Sequence, residues 1–353
     1  MLKGISLVEL AQKIEGNKSL KRDFIADAST LRAEYTPPVA NENGSVSLVV
    51  PEHGSFPLRP IAHDQIGARL NIPARYYDKM LGEAPGLLVD NVNTWLARST
   101  EKRMVRTLGG DARAFLSNRY QRIENEEIAN VALPILANIP GVKIVSAEVT
   151  ERRLYIQAVS PKVEGEVKKG DVVQAGVVIS NSEVGHGAVS VSPMVYRLVC
   201  LNGMICADGR FRAFHVGRAT DDNAALWADD TRKADDSAVL LKVRDMVSAA
   251  VDAVRFSERV EKMKALTEGR IVGNPVKAVE VLAQKIGANE SEGAAMLRAL
   301  IEGGDLSAWG LLNAVTAQAH TATTYDRGVE LEAAGGNLLD LDRSEWRKVL
   351  EAA

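Results

Sequence analysis

The side chains best suited to chemistry in this sequence are its five histidines and two cysteines, and their spacing assembles no known enzyme site. No two histidines lie three or four positions apart, so no helix presents a pair of metal ligands. The sequence has no P-loop, no dinucleotide-binding glycine motif, no zinc-protease helix motif and no nucleophile-elbow serine. It therefore predicts no nucleophile–base pair, no catalytic residue and no cofactor.

The two cysteines flank the dipeptide Asn202-Gly203, which is typical of a two-residue hairpin turn. Cys200 and Cys206 facing each other across that hairpin would supply half of a zinc site. Both lie in apolar strand segments, however, and cysteine is among the most frequently buried residue types. We interpret both as packing residues and predict no metal site. Two cysteines are also too few for a disulfide framework, which favours a reducing compartment.

A polar loop that follows a predicted strand gives the best location for an enzyme site of unrecognised type. It runs from Asn181 to Gly187, and the backbone N–H groups of such glycine-bearing loops can bind a phosphate or a substrate. The alternative is an ordinary hairpin loop. The side chains that this enzyme hypothesis would use are Asn181, Glu183, His186 and Asn202, with Arg197 as an anion anchor.

Charge is distributed unevenly along the chain of 353 residues, although its net charge is only -3, from 43 Lys+Arg and 46 Asp+Glu. Residues 98–122 hold seven basic and two acidic side chains, a net of 7 − 2 = +5. Residues 98–218 hold 17 basic and 12 acidic side chains, again +5, which leaves -3 − 5 = -8 for the rest. The total argues against a protein that coats nucleic acid indiscriminately, but it allows a basic central segment.

Aromatic residues interleave with the arginines of this central segment. Arginine forks match phosphate oxygens, and aromatic faces can stack unpaired bases. The alternative is a solvated sheet face with aromatic side chains in the core. The candidate nucleic-acid-binding residues are Arg103, Arg106, Arg113, Arg119, Tyr120, Arg122, Tyr196, Arg197, Arg210 and Arg212.

The hydrophobic pattern predicts helices, then strands, then helices. A capping box at Ser6 and Glu9 starts a helix that should end near Gly16. From Arg103 the period falls from about 3.6 to 2, which predicts seven or eight strands with a helix over 124–137 inserted after the first hairpin. The predicted fold class is α+β, an antiparallel meander sheet flanked by N-terminal helices and a C-terminal helical tail.

Three regions follow from these patterns. Residues 1–97 form a mixed, mostly helical region, 98–218 an antiparallel core with a basic face, and 219–353 a helical region that opens with an Asp-rich segment. The N-terminus lacks the apolar segment of a signal peptide, and no apolar run approaches the ~18 residues that span a bilayer. We therefore expect a cytoplasmic protein with no membrane partner.

Several sequence blocks between Ile61 and Leu341 together cover most of the chain. They are Leu70-Asn-Ile-Pro-x-x-Tyr76-Tyr77, Arg106-Thr-Leu, Arg113-Ala-Phe-Leu-Ser-Asn-Arg-Tyr120, Ile179-Ser-Asn-Ser-Glu183, Tyr196-Arg-Leu-Val-Cys-Leu-Asn-Gly-Met204, Trp309-Gly-Leu-Leu-Asn-Ala-Val-Thr316 and Gly335-Gly-x-Leu-Leu. These blocks resemble the signatures of a phage/plasmid-like family built on a numbered domain of unknown function. The resemblance implies a mobile-element setting, in which such genes often serve DNA replication, recombination or defence evasion.

The outline of the fold more remotely resembles phage single-strand annealing proteins, which bind DNA along a basic groove and often form rings. This predicts a single-stranded DNA-binding or annealing protein of a phage or plasmid in a bacterial cell, a homo-oligomer that acts in recombination or replication without hydrolytic chemistry. One alternative is a defence-evasion protein that binds a host partner through its helical tail, and the other is the enzyme described above. The sequence leaves the choice between DNA and RNA open.

Overall fold

The computed structural model describes residues 1–38, 44–215 and 229–352. Helices and antiparallel sheets make up the fold, and helices alone follow the last strand. The predicted α+β class is confirmed. The predicted boundary after Arg218, and Asp221 and Asp222 of the Asp-rich segment, lie outside the described residues.

The N-terminal region contains more strand than its sequence predicts. The capping box forms as expected, because the Ser6 hydroxyl accepts from the Glu9 N–H and the Glu9 carboxylate accepts from the Ser6 N–H. The helix does not stop at Gly16, however, and runs directly into a strand. The elements are α1 Leu7–Leu20, β1 Lys21–Asp27, β2 Arg32–Thr36, β3 Ser45–Val50, β4 Gly54–Pro57, α2 Pro60–Arg69, α3 Ala74–Glu83 and α4 Pro85–Leu96.

The first predicted hairpin forms, but it belongs to a separate small sheet. Its strands are β5 Lys102–Leu108 and β6 Asp111–Ser117, joined by Gly109 and Gly110, which both have positive φ (64° and 97°). β5 pairs with β1 on its other edge, and β2, β3 and β4 form a second small sheet. The hairpin is therefore not part of the predicted meander, because it pairs with β1 instead. The sequence does not predict β1, since its polar and apolar residues alternate only weakly.

The central sheet is the predicted antiparallel meander, and the predicted helix precedes it and packs on it. The elements are α5 Asn125–Asn138, β7 Lys143–Val149, β8 Leu154–Lys168, β9 Asp171–Asn181, β10 Val189–Arg197, β11 Asn202–Ile205 and β12 Phe211–Ala213. The strand order is β11-β10-β9-β8-β7, and β12 also pairs with β10.

The C-terminal region is helical, as its sequence predicts. Asn274 caps one helix with Pro275 at its first position, and Asn289 forms a capping box with Glu292. Among the described residues, no helix combines the length and apolarity that crossing a bilayer requires. The helices are α6 Asp229–Ala249, α7 Ala253–Glu268, α8 Pro275–Ile286, α9 Glu290–Gly303, α10 Ala308–Ala317, α11 Tyr325–Leu339 and α12 Arg343–Leu350.

Helices cover both faces of the central sheet. On one face Ile156 and Ile179 share a core with Ile128 of α5, together with side chains of α1 and α6. Side chains of α7 and α10 cover the other end of this same face. On the opposite face Val178 lies in a core against which Val329 of α11 packs. Because neither face is open to solvent, charged residues in these strands must be paired inside the protein or lie at strand ends.

The two cysteines have different environments. Cys206 is buried, as predicted, and burial raises the pKa of its thiol to about 12. Cys200 is exposed in the turn between β10 and β11, so the prediction that it packs in a strand is wrong. The turn places Leu201 at a positive φ of 53°, one residue before the predicted Asn202-Gly203 pair.

His63 makes the stability of the N-terminal region sensitive to acid. Its Nδ1 lies 2.9 Å from the Tyr77 hydroxyl, and burial lowers its pKa to about 4. An unfolded histidine titrates near 6.5, so the unfolded chain binds this proton first as pH falls from about 6.5 to 4. The folded state then loses up to about 1.4 kcal/mol per pH unit.

We expect the stability advantage of wild type over His63→Leu to shrink by up to about 1.4 kcal/mol per pH unit as pH falls from 6.5 to 4. Urea unfolding at a series of pH values measures this difference. Ile66→Val, a core change in the same helix without a titrating group, should give a constant difference. A constant difference for His63→Leu as well would contradict the prediction.

Candidate anion-binding site

A buried guanidinium, that of Arg106, joins the small β1-β5-β6 sheet to the central sheet. Arg106 is only 1% exposed. Its Nε donates to Asp23 Oδ1 at 2.9 Å and its Nη1 donates to the Glu183 carbonyl at 2.8 Å. Its Nη2 also pairs with Glu124, the residue that caps α5. One side chain of β5 is therefore bonded to β1, to α5 and to the loop after β9.

Glu183 is the carboxylate at the centre of this cluster. It accepts from Lys21 Nζ at 2.5 Å, from Arg113 Nη1 at 2.8 Å and from the backbone N–H of Asn125 at 2.8 Å. Since Asn125 is the first residue of α5, the carboxylate occupies the anion-binding end of that helix. All three donors favour the ionised form.

Two carboxylates of the cluster, Glu124 and Glu183, have pKa values shifted in opposite directions. Burial alone would raise the pKa of Glu183, but a hydrogen bond with Glu124 and the charges of Arg113 and Lys21 hold it well below its usual range. Burial raises the pKa of Glu124, against the charge of Arg106, and the nearby Glu183 raises it further. Glu183 is thus the permanent anion of the pair.

The loop over 182–187 is fastened on two sides. The Tyr120 hydroxyl donates to the Ser182 carbonyl at 2.6 Å, and Gln65 Nε2 donates to the Val184 carbonyl at 2.7 Å. Asn181, at the end of β9, donates to the Ile123 carbonyl at 2.9 Å. These bonds hold Glu183 in one position relative to β6 and α5.

A cavity of about 40 Å³ lies beside Glu183 and Arg113. Four arginines line it. Arg59 comes from the N-cap of α2, Arg113 from β6, and Arg152 and Arg153 from the turn between β7 and β8. The acidic residues of the lining are Glu151 and Glu183. The walls therefore carry an excess of positive charge.

Arg113 has hydrogen-bonding capacity that the protein itself does not use. It is 8% exposed, and its Nη1 is bonded to Glu183. Its Nε and Nη2 are buried, and neither has a hydrogen-bond partner in the described part of the chain. A buried unpaired donor costs about 1–3 kcal/mol, and more when it is charged, so an acceptor from outside the chain would relieve it.

The cavity has the size and charge for a small oxyanion. A water molecule needs about 10–15 Å³ of such space, so this cavity has room for a few waters or for a tetrahedral anion. Guanidinium groups bind carboxylate and phosphate oxygens in pairs of parallel hydrogen bonds. The arrangement can therefore bind a small anion such as a phosphate or a carboxylate, whose oxygens match the forked donors.

The structure divides the ten predicted nucleic-acid-binding residues among several places. Four are buried, namely Arg103, Arg106, Arg113 and Tyr120. Arg119, Arg122 and Arg212 are exposed, and Tyr196, Arg197 and Arg210 are partly buried. Arg103 pairs with Glu101, and Arg210 donates to Ser192 Oγ at 3.1 Å.

These ten residues do not converge in a single groove. Arg212 pairs with Ser190 at the start of β10, whereas Arg197 lies seven residues further along the same strand, about 23 Å away. Arg197 is also bonded to Asp171 through both Nε and Nη2, at 2.6 and 2.8 Å. Nucleic-acid binding stays a prediction.

The five residues of the enzyme hypothesis are also separated. Asn181 and Glu183 belong to the buried cluster, but His186 is not part of the cavity lining. Asn202 and Arg197 lie at the other end of the central sheet, where Asn202 Oδ1 is 2.5 Å from His320 Nε2. The structure does not bring these side chains together in one pocket.

The sequence analysis missed two members of the buried cluster, Lys21 and Asp23, and one arginine of the cavity, Arg59. Lys21 and Asp23 lie in a strand with weak alternation, and Arg59 stands alone before a helix. The adjacent arginines Arg152 and Arg153, directly before a run of apolar residues, were the signal in the sequence. Arg152 and Arg153 lie near Arg113 only because the small sheet packs against the central sheet.

The family model described as Domain of unknown function (DUF932) matches residues 114–334. This is more than half of the chain, and the chain belongs to that family. The match includes Glu183 and the Arg152-Arg153 turn, and it begins one residue after Arg113. No curated protein matches the chain significantly, and no solved structure does.

We expect Arg106→Met to lower the free energy of unfolding by about 3–5 kcal/mol, because Asp23 and Glu124 would lose their buried partner. Arg122→Met is the matched control. Arg122 lies 3.4 Å from the same Asp23 but is exposed, so its loss should cost less than about 1 kcal/mol. Urea unfolding measures both variants, and equal losses would contradict the buried-pair account.

Proposed function

We propose that this protein binds single-stranded DNA and that a phosphate of the DNA occupies the arginine-lined cavity beside Glu183. The observation that carries the proposal is the pair of unpartnered donors on Arg113, at a cavity lined by three further arginines. A phosphate would satisfy donors that the protein leaves buried and unpaired. Bonds to Asp111, Glu183 and the His186 carbonyl hold three of the four guanidinium groups, those of Arg59, Arg113 and Arg153.

The surface beside the loop over 182–187 supports a single strand as the ligand. Tyr120, which is bonded to this loop, stacks on His215 with 5.0 Å between ring centroids. Next to His215 the Phe214 ring is 68% exposed, and Arg119 next to Tyr120 is exposed. An exposed ring and nearby arginines are the groups that stack an unpaired base and contact its phosphates.

Annealing of complementary strands, in the recombination or replication of a phage or plasmid, belongs to this proposal. It rests on the resemblance of the sequence blocks to a phage/plasmid-like family and of the fold outline to phage single-strand annealing proteins. A homo-oligomer in the cytoplasm of a bacterial host would align the sites of neighbouring subunits into a longer track. Binding of this kind needs no catalytic residue.

Fluorescence anisotropy of a 3′-labelled 30-nucleotide single strand tests the proposal. We expect binding at low salt, with the logarithm of the affinity falling by about 0.7 per phosphate contact for each logarithmic unit of salt. Arg152→Glu and Arg119→Glu should each weaken binding at least tenfold. Arg298→Glu, an exposed charge reversal on α9, should change it less than twofold. No binding at 50 mM salt, or equal effects of all three variants, would refute the proposal.

Inorganic phosphate tests the cavity itself. Because a ligand that binds only the folded state stabilises it, millimolar phosphate should raise the melting temperature of wild type more than equimolar chloride does. Arg113→Lys keeps a cation beside Glu183 but lacks the guanidinium fork, so it should fold and lose this increase. An undiminished increase in Arg113→Lys would place the phosphate elsewhere.

A further inference from the structure

A second and larger cavity lies in the C-terminal region, far along the chain from the arginine-lined cavity. It has a volume of about 620 Å³, lies between α7 and α12, and is bordered by the 269–272 segment and by the end of α11. Sites for small molecules in proteins typically have volumes of about 300–1,000 Å³. We call it the α7–α12 cavity.

The walls of the α7–α12 cavity are mainly apolar. Leu266 of α7, Leu339 at the end of α11 and Leu350 of α12 line it, together with the ring of Trp346. Such walls favour an apolar group of a ligand, since burying it removes hydrocarbon surface from water.

One polar group within these walls has no partner. Trp346 is only 5% exposed, and its Nε1 is buried without a hydrogen-bond acceptor in the described part of the chain. A buried indole N–H normally has an acceptor. Trp309, by contrast, donates its Nε1 to Asp171 at 2.9 Å. Because Trp346 lines the cavity, a bound ligand whose acceptor reaches Nε1 would pair this donor.

The charges beside Trp346 indicate the kind of acceptor. Arg343 and Arg347 are one turn apart on α12, on either side of Trp346, and both line the cavity. Neither takes part in an ion pair within the described ranges, whereas Lys262 pairs with Asp340 at 2.7 Å.

The acidic lining residues besides Asp340 are Glu268 and Glu351. Both are exposed, as are Arg343 and Arg347, and with Lys262 and Arg270 the lining holds four basic side chains against three acidic ones. The two free guanidinium groups next to an unpaired N–H donor therefore favour an anionic acceptor, and a planar carboxylate fits both kinds of donor.

We infer that the α7–α12 cavity binds a small amphipathic carboxylate. Its apolar tail packs on Leu266, Leu339 and Leu350, one carboxylate oxygen accepts from Trp346 Nε1, and the other pairs with Arg343 or Arg347. A neutral ligand would leave the two cations without a partner, and a simple inorganic anion would leave the apolar walls empty. This site is independent of the proposed DNA binding.

Isothermal titration calorimetry of the full chain with octanoate tests the inference. Octanoate should bind, 1-octanol should bind at least tenfold more weakly because it lacks the charge, and acetate should give no detectable heat because it lacks the tail. Trp346→Phe removes the N–H but keeps an aromatic ring, and it should weaken octanoate binding about tenfold. The Arg343→Ala, Arg347→Ala double variant should weaken it at least as much.

Lys348→Ala is the matched control, because Lys348 is exposed on the same helix and is not part of the cavity lining. Its affinity for octanoate should stay within twofold of wild type. Thermal melting confirms that each variant is folded, and the double arginine variant changes only exposed residues. Absence of octanoate binding to wild type, equal binding of octanol, or an unchanged affinity in the double variant would each overturn the inference.

Discussion

The buried ion pairs of Arg106 hold together parts of the molecule that have separate hydrophobic cores. The N-terminal strands and helices enclose one core, and the central sheet shares others with the helices on its two faces. Arg106 reaches from β5 to Asp23, Glu124 and the Glu183 carbonyl, so three elements depend on one side chain. Removing charges from water is costly, and the arrangement is stable only because nearly every member has several partners.

The same cluster creates the arginine-lined cavity. Glu183 takes the place at the start of α5 where a ligand anion would bind, and it uses only one of the donor positions of Arg113. The Nε and Nη2 donors of Arg113 have no acceptor among the residues that the structure describes. Structural ion pairing and the capacity to bind an anion thus come from the same residues, and the covered faces of the central sheet leave such ligands only its ends and edges.

Much of the fold was predictable from the sequence, because it depends on local signals. The caps at Ser6, Asn274 and Asn289, the glycine turn after β5 and the period-2 strands all formed where their residue types place them. The site was not predictable to the same extent. A count of arginines cannot distinguish Arg106, paired three times inside the protein, from Arg119 on the surface. That difference depends on carboxylates far away in sequence.

The separation of these partners along the chain bears on how the protein folds. Lys21 and Glu183 are 162 positions apart, and Arg106 and Glu183 are 77 apart. During synthesis the charged side chains of β1 therefore stay hydrated, because Glu183 becomes available only when β9 and the loop after it have left the ribosome. Contacts of such long range are slow to form because the loop they close is entropically unfavourable. We expect the cluster to be completed late in folding, as the step that joins regions already collapsed around their own cores.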